Sequence, residues 1–78
     1  MFYTYVLRSE KDGKLYIGWT DNLERRVREH NSGKTPSTRP RLPFNLVYYE
    51  ACVDMKKAIA REKYFKTGFG RRFLNTRI

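Results

Sequence analysis

The sequence predicts a small α/β domain in which a three-stranded, largely antiparallel sheet is flanked by helices, in the order ββαβα. Two observations carry this prediction. Aromatic and β-branched residues alternate in two early runs that a turn signal divides, and helical periodicity with capping residues follows the second and third strands. The 78 residues suffice for one domain, residues 1–78, with a marginal but feasible core.

The first two strands are predicted to form a β-hairpin. Residues 2–8 (FYTYVLR) and 14–19 (KLYIGW) alternate as half-buried strands do, and the SEKDGK segment between them contains an Asp-Gly turn signal. Tyr5 and Tyr16 add phenolic hydroxyls to this hairpin. A tyrosine in a strand is usually a core residue, unless the fold positions several such hydroxyls together. Gly18 within a strand indicates a bulge or a close backbone approach.

A first helix is predicted from about Asn22 to Asn31, with Asp21 as its N-cap and Glu24 completing a capping box. The NSG tripeptide ends it. Residues 31–43 hold three prolines and small polar residues, so they predict an ordered or semi-flexible loop rather than a helix or a central strand.

Residues 44–51 (FNLVYYEA) predict the third strand. A second helix follows, with Asp54 as its N-cap and Gly68 as the residue that closes it. The tail, residues 69–78 (FGRRFLNTRI), is able to form a short C-terminal helix.

Charge is the strongest bulk signal, with a net charge of +9 at pH 7. A small chain with this excess attracts polyanions and releases counterions on binding them, so nucleic acid is the leading expected partner. A basic protein without a polyanionic ligand is the alternative. No membrane partner is expected, because the sequence contains no basic amphipathic helix and no apolar run of membrane-spanning length.

Cysteine usage predicts a reducing compartment. The single Cys52 cannot form an intramolecular disulfide, and one histidine is too few for a Cys/His zinc site. The N-terminus also lacks the apolar region of a secretory signal. We therefore expect a cytoplasmic protein.

Two ionisable side chains flank the apolar stripe of the first helix. Leu23 and Val27 lie four residues apart, and Arg26 and His30 share their face. Because burial of an unpaired charge is costly, Arg26 and His30 need a partner or a ligand. The alternative is that Arg26 extends its guanidinium to solvent and His30 is a hydrogen-bonded boundary residue.

Glu62 poses the same question on the second helix, where it follows Met55 and Ile59 on the apolar face. A carboxylate in this setting either pairs with a buried arginine or ligates a hard divalent cation that prefers oxygen donors.

These residues together resemble the GIY-YIG nuclease family, in particular its small stand-alone members related to the nuclease domain of the bacterial excision-repair endonuclease. Tyr16, Ile17 and Gly18 supply YIG literally, and YTY stands in place of GIY and keeps its final Tyr5. Eleven residues separate Tyr5 from Tyr16, in agreement with the family's hairpin register. The resemblance covers residues 3–73.

The resemblance extends to the helices. Arg26, ten residues after Tyr16, matches the family's catalytic arginine, and His30, four residues later, matches its histidine or tyrosine position. Glu62 within AIAREKYFK matches the family's metal-binding glutamate. Trp19 departs from the family, which often has a small or basic residue directly after YIG.

The resemblance implies single-metal hydrolysis of phosphodiester bonds. Glu62 would hold one Mg²⁺ or Mn²⁺ that neutralises charge on the scissile phosphate, and Arg26 would clamp that phosphate with its planar donor fork. Tyr16 would act as the general base or relay to it, while Tyr5 and His30 would orient water and phosphate or share the base role. Whether Tyr16 or His30 takes the proton stays open.

The implied activity is that of a DNA endonuclease, structure- or strand-selective and linked to repair or recombination, with DNA favoured over RNA. Because the resemblance covers nearly all of the 78 residues, we expect no DNA-targeting domain and expect phosphate contacts from a protein partner or from the chain's own basic residues. The candidates for these contacts are Arg39, Arg41, Lys63, Lys66, Arg71 and Arg72, and Asn75 is the candidate for the asparagine that the family often has late in the domain.

Two other functions are compatible with the sequence. One is a nucleic-acid-binding module of the same fold with little or no cleavage, which the degenerate YTY favours. The other is a small basic protein whose partner is another protein. The carboxylate of Glu62 favours the enzyme, because a carboxylate among phosphate-binding groups repels phosphate unless a metal is present.

Overall fold

The computed structural model describes all 78 residues and contains one three-stranded sheet with helices on both faces. Both strand pairs are antiparallel and the strand order is β2-β1-β3, so the predicted fold class is confirmed. None of the helices is long and apolar enough to cross a lipid bilayer. The elements are β1 (Phe2–Ser9), β2 (Leu15–Thr20), α1 (Leu23–Asn31), a 3-10 turn (Arg39–Arg41), β3 (Phe44–Cys52), α2 (Met55–Phe65) and α3 (Gly68–Asn75).

Each face of the sheet buries its own apolar cluster. On one face Val6 and Ile17 pack against Phe65 of α2 and Leu74 of α3. On the other face the cluster contains Tyr5, Leu7 and Phe44, with Leu23 and Val27 of α1 packed against it. Since successive side chains of a strand point to opposite faces, β1 serves both clusters, and this central strand is almost completely buried.

The start of α1 differs from the prediction. The N-cap is Asn22, whose side-chain oxygen accepts a hydrogen bond from the Arg25 amide at 3.1 Å, so the prediction of Asp21 as N-cap was wrong. Thr20 fixes this register, because its hydroxyl oxygen accepts from the Asn22 amide at 3.2 Å. Asp21 instead pairs with Arg25, and Glu24 pairs with a later arginine rather than closing a capping box.

The end of α2 also differs. Asp54 caps α2 as predicted, but the helix ends at Phe65, and Gly68 opens α3 instead of closing α2. Thr67 is the N-cap of α3 and accepts a hydrogen bond from the Gly70 amide at 3.1 Å. Gly70 permits the sharp turn between the helices, because a Cβ at this position would collide with the carbonyl of the last turn of α2. The predicted C-terminal helix is confirmed as α3.

The loop between α1 and β3 is ordered by side-chain contacts. Asn31 holds the start of β3 through two hydrogen bonds. Its side-chain amide donates to the Phe44 carbonyl at 3.0 Å, and its side-chain oxygen accepts from the Phe44 amide at 2.8 Å. Ser9 donates to the Arg41 carbonyl at 2.6 Å. The predicted loop is confirmed, with one 3-10 turn inside it.

Candidate active site

Gly18 allows a tyrosine side chain to cross the edge strand. In the sheet register Tyr5 lies directly opposite Gly18, and a Cβ at Gly18 would lie 2.5 Å from the Tyr5 hydroxyl oxygen. No side chain larger than hydrogen fits between them. The Tyr5 hydroxyl therefore lies over β2, an edge strand of the sheet, on the face that packs against α1.

His30 holds this hydroxyl from α1. The Tyr5 hydroxyl lies 2.9 Å from Nε2 of His30, and Nδ1 of His30 lies 3.0 Å from the Thr38 hydroxyl. Thr38 donates its own proton to the Thr35 carbonyl, so its oxygen accepts from Nδ1–H. This network assigns the tautomer in which Nε2 is unprotonated and accepts the proton of Tyr5. Tyr5, His30 and Thr38 are all buried.

Burial and a nearby cation keep this network uncharged. Burial and the positive charge of Arg26 lower the pKa of His30 to about 4, against a smaller opposing effect of Glu29. Burial raises the pKa of Tyr5, although the Arg26 guanidinium opposes that increase. At neutral pH His30 is therefore a neutral acceptor and Tyr5 a protonated donor.

Tyr16 packs against the same imidazole. Its ring centroid lies 5.0 Å from that of His30 in an edge-to-face arrangement and 6.3 Å from that of Phe44. Tyr16 is only half-buried, whereas Tyr5 is buried. Two tyrosines of the hairpin thus meet one histidine, and only Tyr16 is open to solvent.

Arg26 supplies a cation beside these groups. Its guanidinium lies 3.4 Å from the Glu29 carboxylate, and both side chains are about one third exposed, at 32% and 36%. A long contact at this exposure is a weak ion pair. Arg26 therefore keeps donors available for an anion, while its charge acts on both Tyr5 and His30.

Glu62 approaches from α2 on the opposite face. Its side chain is 18% exposed, and Lys66 pairs with it at 2.6 Å, so its partner is a lysine one turn away rather than a buried arginine. The negative charge of Glu62 contributes to the raised pKa of Tyr5, which puts the carboxylate within electrostatic reach of the hydroxyl. Tyr5, Tyr16, Arg26 and His30 thus lie together on the face of the hairpin that packs against α1, and Glu62 belongs to α2 on the opposite face.

Few side chains at this site are able to bind a metal ion. No group of three or more His, Cys, Asp or Glu side chains is arranged to hold a metal ion anywhere in the molecule. The carboxylates near the site are Glu29, which pairs with Arg26, and Glu62. Mg²⁺ is commonly held by one or two carboxylates together with substrate phosphates and water, so Glu62 fits such an ion when a phosphate completes the ligand set.

The predicted phosphate-contacting residues are spread over three elements. Arg39 and Arg41 lie in the 3-10 turn, where Arg39 donates to the Gly33 carbonyl at 2.7 Å and Arg41 pairs with Asp12 at 2.9 Å. The other members, Lys63 and Lys66 of α2 and Arg71 and Arg72 of α3, are exposed.

One feature of the site could not be predicted from the sequence. Thr38, which fixes the His30 tautomer, lies in the proline-rich loop, where no spacing rule links it to a helix residue. Trp19 lies on the α2 face, because it pairs with Thr4, whose hydroxyl donates to the Ala58 carbonyl of α2 at 2.9 Å. Trp19 therefore faces away from the sheet face that carries Tyr16.

The three-stranded sheet with its helices, and the tyrosines of the hairpin packed on the histidine of α1, agree with a nuclease-type catalytic domain. The chain belongs to the GIY-YIG family, because the family model described as the GIY-YIG catalytic domain matches residues 1–75. The resemblance drawn from the motifs is thereby confirmed. This is a family of endonucleases, whose substrates are nucleic acids.

Relatives from several bacteria are similar along most of the chain. The UPF0213 protein of Clostridium perfringens is 46% identical over 67 residues, which cover 85% of this chain and 71% of that protein. The UPF0213 protein of Bacillus licheniformis is 48% identical over 65 residues, which cover 82% of this chain and 66% of that protein. The solution NMR structure of the UPF0213 protein from Bacillus halodurans matches with a TM-score of 0.59 at 34% identity, and the match covers 97% of this chain and 84% of that one.

Proposed function

We propose that the protein is a divalent-metal-dependent endonuclease that hydrolyses DNA phosphodiester bonds. The observation that carries the proposal is the buried relay from Tyr5 through His30 to Thr38, set beside a weakly paired Arg26 and within electrostatic reach of Glu62. A hydrophobic core has no need of a cation beside this hydroxyl. A structure- or strand-selective role in DNA repair or recombination, in the cytoplasm, belongs to the same proposal.

Tyr16 is the phenol that meets the attacking water in this proposal. His30 is completely buried and contacts the two tyrosines, so it acts on the reaction through them and not on the substrate directly. Tyr5 is a positioning residue, because its proton is engaged by His30. Tyr16 is the half-exposed phenol of the pair, so it is the one that an attacking water molecule can reach.

Arg26 contacts the scissile phosphate. Its planar guanidinium is suited to two phosphate oxygens at once, and its partial burial strengthens the interaction with the charge that develops there. The Glu29 carboxylate is weakly held and is displaced when phosphate arrives.

Glu62 and the substrate phosphate together hold the metal ion in the proposal. When bound, Mg²⁺ or Mn²⁺ supplies charge neutralisation at the phosphate and stabilises the leaving oxygen. Glu62 must exchange Lys66 for the ion, and Lys66, whose side chain is 53% exposed, is free to turn toward solvent or toward the DNA backbone.

A second candidate function is binding without cleavage. The 2.6 Å contact between Lys66 and Glu62 favours it, because a carboxylate already neutralised by lysine does not repel phosphate. The YTY in place of GIY points the same way.

Cleavage assays with matched controls separate the two functions. Branched, nicked, single-stranded and duplex DNA, and RNA, are incubated with Mg²⁺ or Mn²⁺ and wild-type protein, Tyr16→Phe, Arg26→Ala or Glu62→Gln. Each variant is expected to lose about 100-fold or more in cleavage rate. Arg28→Ala and Glu24→Gln make the same charge changes on the exposed side of α1 and should cut like wild type. The endonuclease proposal fails if wild type cuts nothing or if the three variants match their controls.

A further inference from the structure

A second concentration of positive charge lies at the turn end of the hairpin. An open cleft of about 410 Å³ is lined there by Arg8 of β1, Lys14 before β2, Arg41 of the 3-10 turn, and Arg71 and Asn75 of α3. We call these five residues the basic cleft. Four separate parts of the fold each contribute a cation to it, so the convergence is a product of the tertiary structure.

The charge of the basic cleft is largely unbalanced. The molecule contains six ion pairs, and none of them involves Arg8, Lys14 or Arg71. Arg41 is the exception, because it pairs with Asp12 at 2.9 Å and lowers the pKa of that carboxyl to about 2. Unpaired cations that share one concavity repel each other, and an anion in the cleft removes this repulsion.

The hairpin turn presents Lys14 to the basic cleft. Gly13 has a positive φ of 72°, which a glycine adopts without strain, and the Lys14 amide donates to Asp12 at 2.9 Å. Asp12 thus ties the turn both to Lys14 and to Arg41. The arrangement fixes the backbone of the turn, while the Lys14 side chain stays exposed and unpaired.

The basic cleft adjoins the candidate active site. Arg41 donates to the carbonyl of Leu15 at 3.4 Å, and Leu15 directly precedes Tyr16 in β2. The Arg41 guanidinium also lies over the Phe44 ring at 5.3 Å, and Phe44 in turn contacts Tyr16. Arg41 thus connects the basic cleft to Leu15 and Phe44, the two residues that lead to Tyr16.

We propose that the basic cleft binds a backbone phosphate of the nucleic-acid substrate beside the scissile phosphate. The proposal rests on the endonuclease function proposed above. Arg8 and Arg71 offer planar donor forks suited to phosphate oxygens, Lys14 adds a flexible cation, and Asn75 adds an amide donor. The basic cleft holds the strand in register and takes no part in the proton transfers.

Salt-dependent DNA binding tests this inference without requiring cleavage. Binding of a fluorescently labelled single-stranded and a branched DNA is measured by anisotropy with EDTA present, across a series of salt concentrations. The double variant Arg8→Gln/Arg71→Gln and the single variant Lys14→Gln are compared with Lys34→Gln/Lys56→Gln, which removes two unpaired, exposed cations elsewhere. All substituted positions are exposed, so the fold should be retained.

The basic cleft predicts a specific pattern of losses. The Arg8/Arg71 variant should bind at least tenfold more weakly than wild type, and the slope of log affinity against log salt should become shallower by about one phosphate contact. Lys14→Gln should change both in the same direction, and the Lys34/Lys56 control should change affinity less than about threefold. Equal losses in cleft and control variants, or no measurable DNA binding by wild type, would overturn the inference.

The outcomes also separate this inference from the endonuclease proposal. If wild type cleaves DNA while the Arg8/Arg71 variant keeps wild-type affinity and salt slope, phosphate binding by the basic cleft is ruled out and the endonuclease proposal is retained. If no protein cleaves but the Arg8/Arg71 variant alone loses affinity, the endonuclease proposal is ruled out and nucleic-acid binding by the basic cleft is retained.

Discussion

At the scale of single residues, the site depends on three residues whose roles are unusual for their positions. Gly18 leaves space inside a strand, Tyr5 uses that space to place its hydroxyl at the sheet edge, and His30 accepts the Tyr5 proton while completely buried. None of these roles needs an exposed catalytic histidine. The neutral state of His30 is what makes it an acceptor.

Substitution of Gly18 by alanine should damage both fold and site. The new Cβ would meet the Tyr5 hydroxyl at 2.5 Å, so we expect a loss of about 1 to 3 kcal/mol in the free energy of unfolding and a large loss of DNA cleavage. Gly68→Ala is the matched control, because nothing lies within 4 Å of a Cβ there, and it should not destabilise the protein. Urea unfolding of both variants measures the difference. Equal stabilities would contradict the close packing of Tyr5 on Gly18.

The buried His30 predicts a particular dependence of stability on pH. Its pKa of about 4 in the folded state is lower than the ordinary value of 6.5, so the unfolded chain binds more protons between these values. Stability should fall by about 2 to 3 kcal/mol as pH drops from 6.5 to 4 and level off below that, as far as this residue is concerned. His30→Gln should remove this slope, and a slope unchanged by the substitution would contradict the assignment of a neutral histidine.

At the scale of the elements, one arginine joins α2 and α3 to the sheet. Arg61 of α2 makes a two-contact ion pair with Glu50 of β3, at 2.9 and 3.1 Å. Its guanidinium also lies 4.6 Å from the centroid of Phe65 and 5.0 Å from that of Phe73 in α3. Because Glu62 follows Arg61 directly, the contacts of Arg61 hold in place the part of α2 from which Glu62 projects.

Replacement of Arg61 by methionine should loosen this junction. The side chain keeps its apolar stem but loses the ion pair and the cation–π contacts, so we expect a loss of about 2 kcal/mol in the free energy of unfolding. Arg72→Met is the control, because Arg72 is exposed and lies over a single ring, that of Phe69, and it should lose less than about 0.5 kcal/mol. Thermal or urea unfolding compares the two, and similar losses would show that Arg61 has no special role.

The sequence predicted the elements better than their ends. Strand alternation and helical spacing depend on neighbours along the chain, so the hairpin, the third strand and all three helices were recognisable. Asp21 and Asn22 are both good N-cap residues, and the choice between them was made by a hydrogen bond from the preceding strand. Gly68 resembled a helix stop, but Thr67 made it a helix start.

At the scale of the whole molecule, charge and chain topology decide which residues meet. The spacing of Tyr5, Tyr16, Arg26 and His30 was visible in the sequence, because all four belong to a hairpin and the helix that follows it. The contacts of His30 with Thr38, and the convergence of the five residues of the basic cleft, join segments that lie far apart in the chain. No local pattern predicts such contacts, and they depend on the folded topology.

The net charge of +9 predicts strongly salt-dependent DNA binding. If Arg26 and the basic cleft each neutralise one phosphate, log affinity should fall with log salt with a slope of about −1.5 to −2. The measurement uses Glu62→Gln without metal, so that cleavage does not interfere. A slope near zero would favour a protein partner over nucleic acid.

Metal-dependent cleavage is tested by the rate of DNA hydrolysis by wild type and by Glu62→Gln under conditions in which both bind the DNA equally. We expect wild type to cleave only when Mg²⁺ or Mn²⁺ is present, and Glu62→Gln to lose about 100-fold or more in rate while its stability and DNA affinity are retained. Cleavage by wild type in EDTA, or equal cleavage by the two proteins, would show that Glu62 does not hold a catalytic metal ion.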